Sequence, residues 1–302
     1  MNRPIAIVGA PSSIGIRPYD SGEERHVDRA PEVLRELHVV ERLRAVDLGD
    51  VVPPAYRDYV RPPRRARNER ELAAYCISLC ERVATAADHG RFVVMLGGDC
   101  SIVLAGLLGA RQATGGRVGL AYVDAHADFA TPEESRTGSV ASMCLGLAVG
   151  RGNTPLARLS GEAPLVGEAD VALLGRRDEM EPSYGHAALA VSQVLDLPDT
   201  ALVARGYPGA AADALARLAS PTLRGFWIHL DADVLNPTDM PAVDSPEPGG
   251  PTANEIVSLL APLVHHPRAL GLELTIYDPA LDPDHSSAAR LVTLLETLIS
   301  GT

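Results

Sequence analysis

Residues 118–129 read VGLAYVDAHADF, an apolar run that stops at Asp124, His126 and Asp128. A continuous apolar run without polar alternation suits a strand covered on both faces, as in a parallel sheet flanked by helices. Positions i, i+2 and i+4 share one face of extended chain. Three ligand-competent side chains therefore converge just beyond the strand. In open α/β sheets, ligands bind at the carboxyl ends of the strands.

The device recurs on either side. FWIHLDADVL, residues 226–235, is again an apolar strand followed by two carboxylates, Asp231 and Asp233. VMLGGDCSIVL, residues 94–104, is an apolar run broken by two glycines, Asp99 and Cys100 before a second apolar run begins. Further strands are expected at IAIVGAP (5–11), ADVALLG (169–175) and ALGLELTI (269–276). Helical spacing marks residues 28–43, 71–90, 101–113, 253–266 and 287–300, with Asp28 as N-cap of the first. Strands alternating with helices of this length predict βαβ units around a parallel sheet. The Pro- and Arg-rich residues 51–70 read as a surface excursion, because the α/β rhythm resumes after them. A single α/β domain over residues 1–302 is the expectation.

Composition narrows the chemistry. With 302 residues, 46% of them apolar, the chain can bury a sizeable core. Its net charge of −12 argues against nucleic acid as a partner. All 27 basic residues are arginine, which excludes Schiff-base and P-loop lysine chemistry. No apolar stretch reaches the roughly 20 residues of a membrane span. The four cysteines, Cys76, Cys80, Cys100 and Cys144, form no CxxC pair, and the N-terminus carries no secretory pattern. A reduced, cytoplasmic protein is expected. Cys76 and Cys80, one turn apart in an amphipathic segment, read as core.

Burying carboxylates side by side is costly unless a cation neutralises them. Two such clusters at two strand ends point to metal. Carboxylate and imidazole donors suit manganese, iron, cobalt, nickel or zinc. His229, one step deeper than Asp231 on the same strand face, reads as a buried, hydrogen-bonded histidine.

GGDCS (97–101), DAHADF (124–129), DADVLNP (231–237), SPEPGG (245–250) and GLELTIYDP (271–279) resemble, in order, the motifs of the ureohydrolase family. That family comprises arginase, agmatinase, guanidinobutyrase, formiminoglutamase and relatives. The resemblance implies a three-layer α/β/α sandwich with a mostly parallel, eight-stranded sheet. It implies a two-manganese centre, a small cationic guanidino substrate and a homo-oligomer, trimeric or hexameric. Asp124 and Asp231 would bridge the metals. Cys100 and Asp128 would complete one site, His126 and Asp233 the other. Water activated there would attack the guanidinium carbon, with Asp128 hydrogen-bonded to it. Glu273 would pair with the substrate guanidinium. Thr137 falls where the family uses small polar groups on a substrate carboxylate, and Asp178, Glu179 and Glu181 offer contacts to an amino group.

The chain departs from the pattern at several positions. Cys100 stands where the family has histidine. A thiolate is softer than imidazole and favours zinc or iron over manganese. Either it ligates, or the first manganese site is weak or vacant. Ala141 and Ser142 stand where many members carry a histidine that shuttles a proton to the leaving amine. Asn236 replaces an aspartate outside the metal shell. These departures resemble a divergent arginase-like branch, one member of which acts on an N-hydroxyguanidino compound. The expected activity is hydrolysis of a linear amidine or guanidine C–N bond, releasing urea or a urea analogue. A zinc-dependent amide deacylase and a non-catalytic metal-binding relative are the alternatives.

Overall fold

The computed structural model describes residues 3–161, 164–179 and 184–301. Eight strands run in chain order: β1 (Ile5–Ala10), β2 (Val46–Asp50), β3 (Phe92–Gly97), β4 (Val118–Val123), β5 (Val171–Leu174), β6 (Leu195–Leu197), β7 (Gly225–Asp231) and β8 (Ala269–Thr275). They form one sheet in the order β2-β1-β3-β8-β7-β4-β5-β6. Every neighbouring pair is parallel. The apolar runs of β1, β3, β4, β5 and β7 are buried along their whole length, as parallel strands covered on both faces require.

The helices are α1 (Ala30–Glu36), α2 (Val39–Arg42), α3 (Glu69–Asp88), α4 (Val103–Thr114), α5 (Cys144–Ala148), α6 (His186–Leu189), α7 (Asp199–Arg205), α8 (Tyr207–Leu218), α9 (Ala253–Val264) and α10 (Ser286–Ser300). Helices α3 and α4 pack together on one face of the sheet; α1, α8, α9 and α10 cover the other. The result is the three-layer α/β/α sandwich. Helix α9 starts at a full capping box, in which Thr252 and Glu255 satisfy each other's backbone N–H. Cys76 and Cys80 lie buried on α3 as free thiols.

One expectation needs correction. Residues 28–43 do not form one helix capped by Asp28. A 3₁₀ turn at Val27–Arg29 leads into α1, whose N-cap is Arg29, and the chain breaks at His38, which takes φ +62° before α2. The edge strands β2 and β6, and helices α7 and α8, were not legible from the pattern. Among the described residues no helix is long and apolar enough to cross a membrane.

For function, the sheet order matters most. Strands β3, β8, β7 and β4 are consecutive neighbours at its centre. Their carboxyl ends bring Cys100, Ile276, Asp231 and Asp124 to one place.

Candidate metal centre

Three of these four strand ends, those of β3, β4 and β7, are turned by an acidic side chain that accepts from its own backbone. Asp99 caps the 3₁₀ turn Cys100–Ile102 by accepting from Ser101 N (2.9 Å). Its other oxygen accepts from Ser12 Oγ (2.8 Å) and Gly15 N (3.1 Å). A side chain at Gly98 would meet the carbonyl oxygen of Ser12 at 1.9 Å, so only glycine lets the two strand ends close up. Asp124 Oδ1 accepts from His126 N (2.7 Å), and Asp231 Oδ1 accepts from Asp233 N (2.9 Å). In both turns the i, i+2 spacing fixes one carboxylate oxygen and leaves the other to the site. Two residues there hold positive φ without being glycine, Asp128 (+45°) and the β-branched Ile276 (+68°). Ile276 is held by its N–H donating to Gly98 O (2.8 Å). Backbone strain of this kind persists only where surrounding contacts over-determine it.

Ligand atoms converge in two buried groups that share Asp124. Cys100, Asp124, His229 and Asp231 form one; Asp124, His126 and Asp233 form the other. Within each, all ligand atoms lie within 4.8 Å of one another. Cys100 Sγ donates to Asp231 Oδ2 (2.9 Å), which also accepts from Thr275 Oγ1 (3.1 Å). His126 Nδ1 lies 2.9 Å from Asp233 Oδ2 and 3.5 Å from Asp124 Oδ1. Asp128, expected to complete the Cys100-side site, belongs to neither converging group; it lines the same cavity, its Oδ2 accepting from Tyr122 Oη (2.7 Å).

The electrostatics are those of a site built for cations. Burial, followed by the neighbouring carboxylates, pushes Asp128, Asp231 and Asp233 above the usual aspartate range. Burial would raise Asp124 too, but the imidazoles of His126 and His229 hold it below that range. Burial and then Asp231 push the Cys100 thiol well up. Burial alone would lower His229, yet Asp124 and Glu273 raise it to about 10. Four buried carboxylates with two histidines leave an excess of negative charge that protonation or bound cations must neutralise. Asp124 Oδ2 and His229 Nε2 are both buried, face each other at 3.6 Å and have no hydrogen-bond partner among the described residues. Orphaned donors beside carboxylates and a thiol fit divalent ions.

A cavity of about 220 Å³ opens onto this cluster. Cys100, Asp124, His126, Asp128, Asp231 and Asp233 form its floor, and Thr137, Ser139, Ala141, Ser142, Tyr184 and Ile276 are among its walls. Arg17 and Arg25 also line it; Arg25 pairs with Asp244. No histidine stands at 141 or 142 to shuttle a proton.

The remaining expected substrate residues fall elsewhere. Glu273 does not face the cavity: it points into the layer under α4, accepting from Trp227 Nε1 (2.8 Å) and meeting His229 Nδ1 (2.6 Å). Strand parity explains the error, since Glu273 pairs with His229 in register, one layer below Asp231. The wall position near the end of β8 belongs to Ile276. Asp178 is fully buried behind the DAHADF loop, accepting from Ala127 N (2.8 Å) beside His186 Nε2 at 3.0 Å, so it braces the loop rather than meeting substrate. Glu181 lies outside the described residues, and Glu179 pairs with Arg176. His229 was read as a core histidine; its place in the first ligand group was signalled only by sharing strand parity with Asp231.

Comparison with known proteins agrees with this architecture. The family model described as Arginase family matches residues 3–300. The chain belongs to the arginase family. Arginase from Bacillus caldovelox is 30% identical over 308 residues, covering 98% of each chain. Arginase from Bacillus subtilis (strain 168) is 27% identical over 310 residues, covering 99% of this chain and 98% of that one. The crystal structure of the Bacillus caldovelox arginase superposes with a TM-score of 0.84 at 29% identity, over 98% of both chains. This member of the arginase family carries Cys100 where the motif pattern has histidine.

Proposed function

We propose that this arginase-family protein is a metal-dependent hydrolase of a guanidino or N-hydroxyguanidino C–N bond, releasing urea or a urea analogue. The observation that supports it is the pair of buried ligand groups sharing Asp124 on the floor of a small cavity. When bound, two divalent ions would supply electrophilic polarisation and acidify water for attack. Cys100, Asp124 and Asp231 would hold one ion, and Asp124, His126 and Asp233 the other, with Asp231 able to reach both. Manganese is the family's metal; the Cys100-side site would hold it weakly.

The chain's own groups then divide the work. Asp128 presents the carboxylate oxygen that Tyr122 leaves free, and takes the proton that attacking water loses. With Ala141 and Ser142 in the wall, Asp128 is also the group that returns it to the departing nitrogen. Thr137 and Arg17 are polar lining groups that could meet a carboxylate at the far end of the substrate, Arg17 by sharing the guanidinium it now turns to Asp20. Ile276 gives an apolar wall near the cluster where a free carboxylate would otherwise grip a full guanidinium charge. That wall favours a less basic reacting group, such as an N-hydroxyguanidine. The cytoplasmic location and the trimeric or hexameric assembly expected from the sequence belong to the same proposal.

The test is product release by metal-loaded protein from guanidino and N-hydroxyguanidino compounds with and without a carboxylate, beside acetyl-lysine. Urea or hydroxyurea from carboxylate-bearing compounds supports the reading. Acetate release alone would move the protein to the deacylases, and turnover of none with both ions bound would make it a binding protein.

A further inference from the structure

We propose that His229 is a metal ligand, its Nε2 completing with Cys100, Asp124 and Asp231 a four-donor site that takes zinc in preference to manganese. The assignment rests on reading the cluster as a two-ion centre and names a donor that the motif pattern does not supply.

His229 is fully buried and braced on every side but one. Glu273 Oε1 lies 2.6 Å from Nδ1, which holds a proton on Nδ1 and turns Nε2 toward Asp124, the atom that would become the ligand once an ion displaces its proton. Glu273 is itself fixed by Trp227 Nε1 at 2.8 Å. The Tyr122 ring stacks on the imidazole with centroids 4.2 Å apart and planes 19° off parallel. This is the carboxylate–histidine arrangement that orients metal-bound imidazoles. It leaves one atom unused: Nε2 has no hydrogen-bond partner among the described residues, and neither has Asp124 Oδ2 facing it.

The spacing of those two atoms discriminates between roles. A hydrogen bond between imidazole and carboxylate closes to about 2.7–3.2 Å; here the separation is 3.6 Å. Two ligands bound at about 2.1 Å around a tetrahedral ion stand roughly 3.4 Å apart. Cys100 Sγ and a carboxylate oxygen of Asp231 complete the group within 4.8 Å. A thiolate, an imidazole and two carboxylates form a mixed set that suits tetrahedral zinc; manganese prefers oxygen donors. His229 thus restores to this ion the imidazole that position 100 no longer gives, from the strand on the other side of the site. Glu273 acts through it as a positioning residue.

The experiment measures metal, not turnover. The full chain and its His229→Asn, Glu273→Gln and His126→Asn variants are loaded with zinc, dialysed against graded chelator and assayed for zinc per chain. X-ray absorption at the zinc edge then reports sulfur and imidazole neighbours. Wild type should hold two ions. His229→Asn should lose the ion that carries the sulfur signal, Glu273→Gln should weaken it roughly 10–100-fold, and His126→Asn should lose only the other. The single zinc left in His126→Asn should show sulfur and imidazole together. That spectrum decides the matter even if His229→Asn fails to fold: sulfur without imidazole overturns the assignment, as does folded His229→Asn holding both ions at wild-type affinity. A wild-type chain that binds no ion refutes the two-ion reading beneath it instead.

Discussion

In the proposed reaction Asp128 alone both takes and returns the proton. It lines the cavity, keeps one oxygen on Tyr122 and sits at φ +45°, a conformation that only close packing maintains. Replacing it by asparagine keeps size and hydrogen bonding but removes the proton acceptor. Asp128→Asn should lower kcat by about 10²–10⁴-fold while zinc or manganese per chain stays within a factor of two or so; equal losses of metal and rate would assign it to ligation alone. Cys100 makes the complementary case. In the metal-free chain its thiol is held protonated by burial and by Asp231, so manganese must displace a proton to use a ligand it prefers little. Cys100→His should therefore slow manganese loss to chelator on that side. Manganese per chain after graded dialysis reads this directly, and two equally tight ions in the unaltered chain would remove the argument. These residues were legible because ligand types at i, i+2 spacing beyond an apolar run have few other uses. Glu273 was misplaced for an equally physical reason: a strand buried on both faces gives no polar alternation from which to tell which layer a carboxylate occupies.

The elements that frame the site carry tolerances as narrow as the ligands do. Helix α4 crosses over β7 and β8 with Gly106 at the contact. A Cβ there would lie 2.6 Å from the Trp227 indole nitrogen and 2.8 Å from Glu273 Oε2. Helix propensity favours alanine over glycine by about 0.5–1 kcal/mol, but overpacking a closed core costs about 1–3 kcal/mol. Trp227 and Glu273 are fully buried with no room to withdraw, so the overlap should win. Gly106→Ala should destabilise the fold by about 1–2 kcal/mol in urea unfolding, and should loosen the Glu273–His229 pair beneath it; a more stable variant would show that the layer is softer than it looks. The central strands and the long helices were readable from their apolar runs and spacing. The edges were not. Strand β2 is Val46–Asp50, largely exposed and carrying two aspartates, and β6 is three residues long. Neither has the apolar run that betrays a strand, because pairing on one side alone holds them. The break at His38 was hidden because apolar residues keep helical spacing across it.

For the whole molecule, the cost of gathering four carboxylates under one sheet edge is set by what neutralises them. An ion present at about 100 times its Kd adds about 2.7 kcal/mol to stability. Two such ions should raise Tm by something on the order of 5–10 °C in a chain of this size, and a chelator should remove that gain. The pH dependence should then change sign. In the chelated protein Asp128, Asp231 and Asp233 hold their protons to higher pH than the ordinary aspartate value of about 3.9. Above that value the folded chain binds more protons than the unfolded one, so stability falls as pH rises from about 4 toward neutrality. Asp124, held low by the imidazoles, contributes only below that window. With ions bound the same carboxylates are kept ionised, and acid destabilises by protonating ligands and releasing metal. Melting curves of loaded and chelated protein should therefore lie furthest apart near pH 7 and converge toward pH 4. Parallel curves would mean that the acidic cluster is neutralised by protons in both preparations, and that metal is not what the strand ends are built to hold.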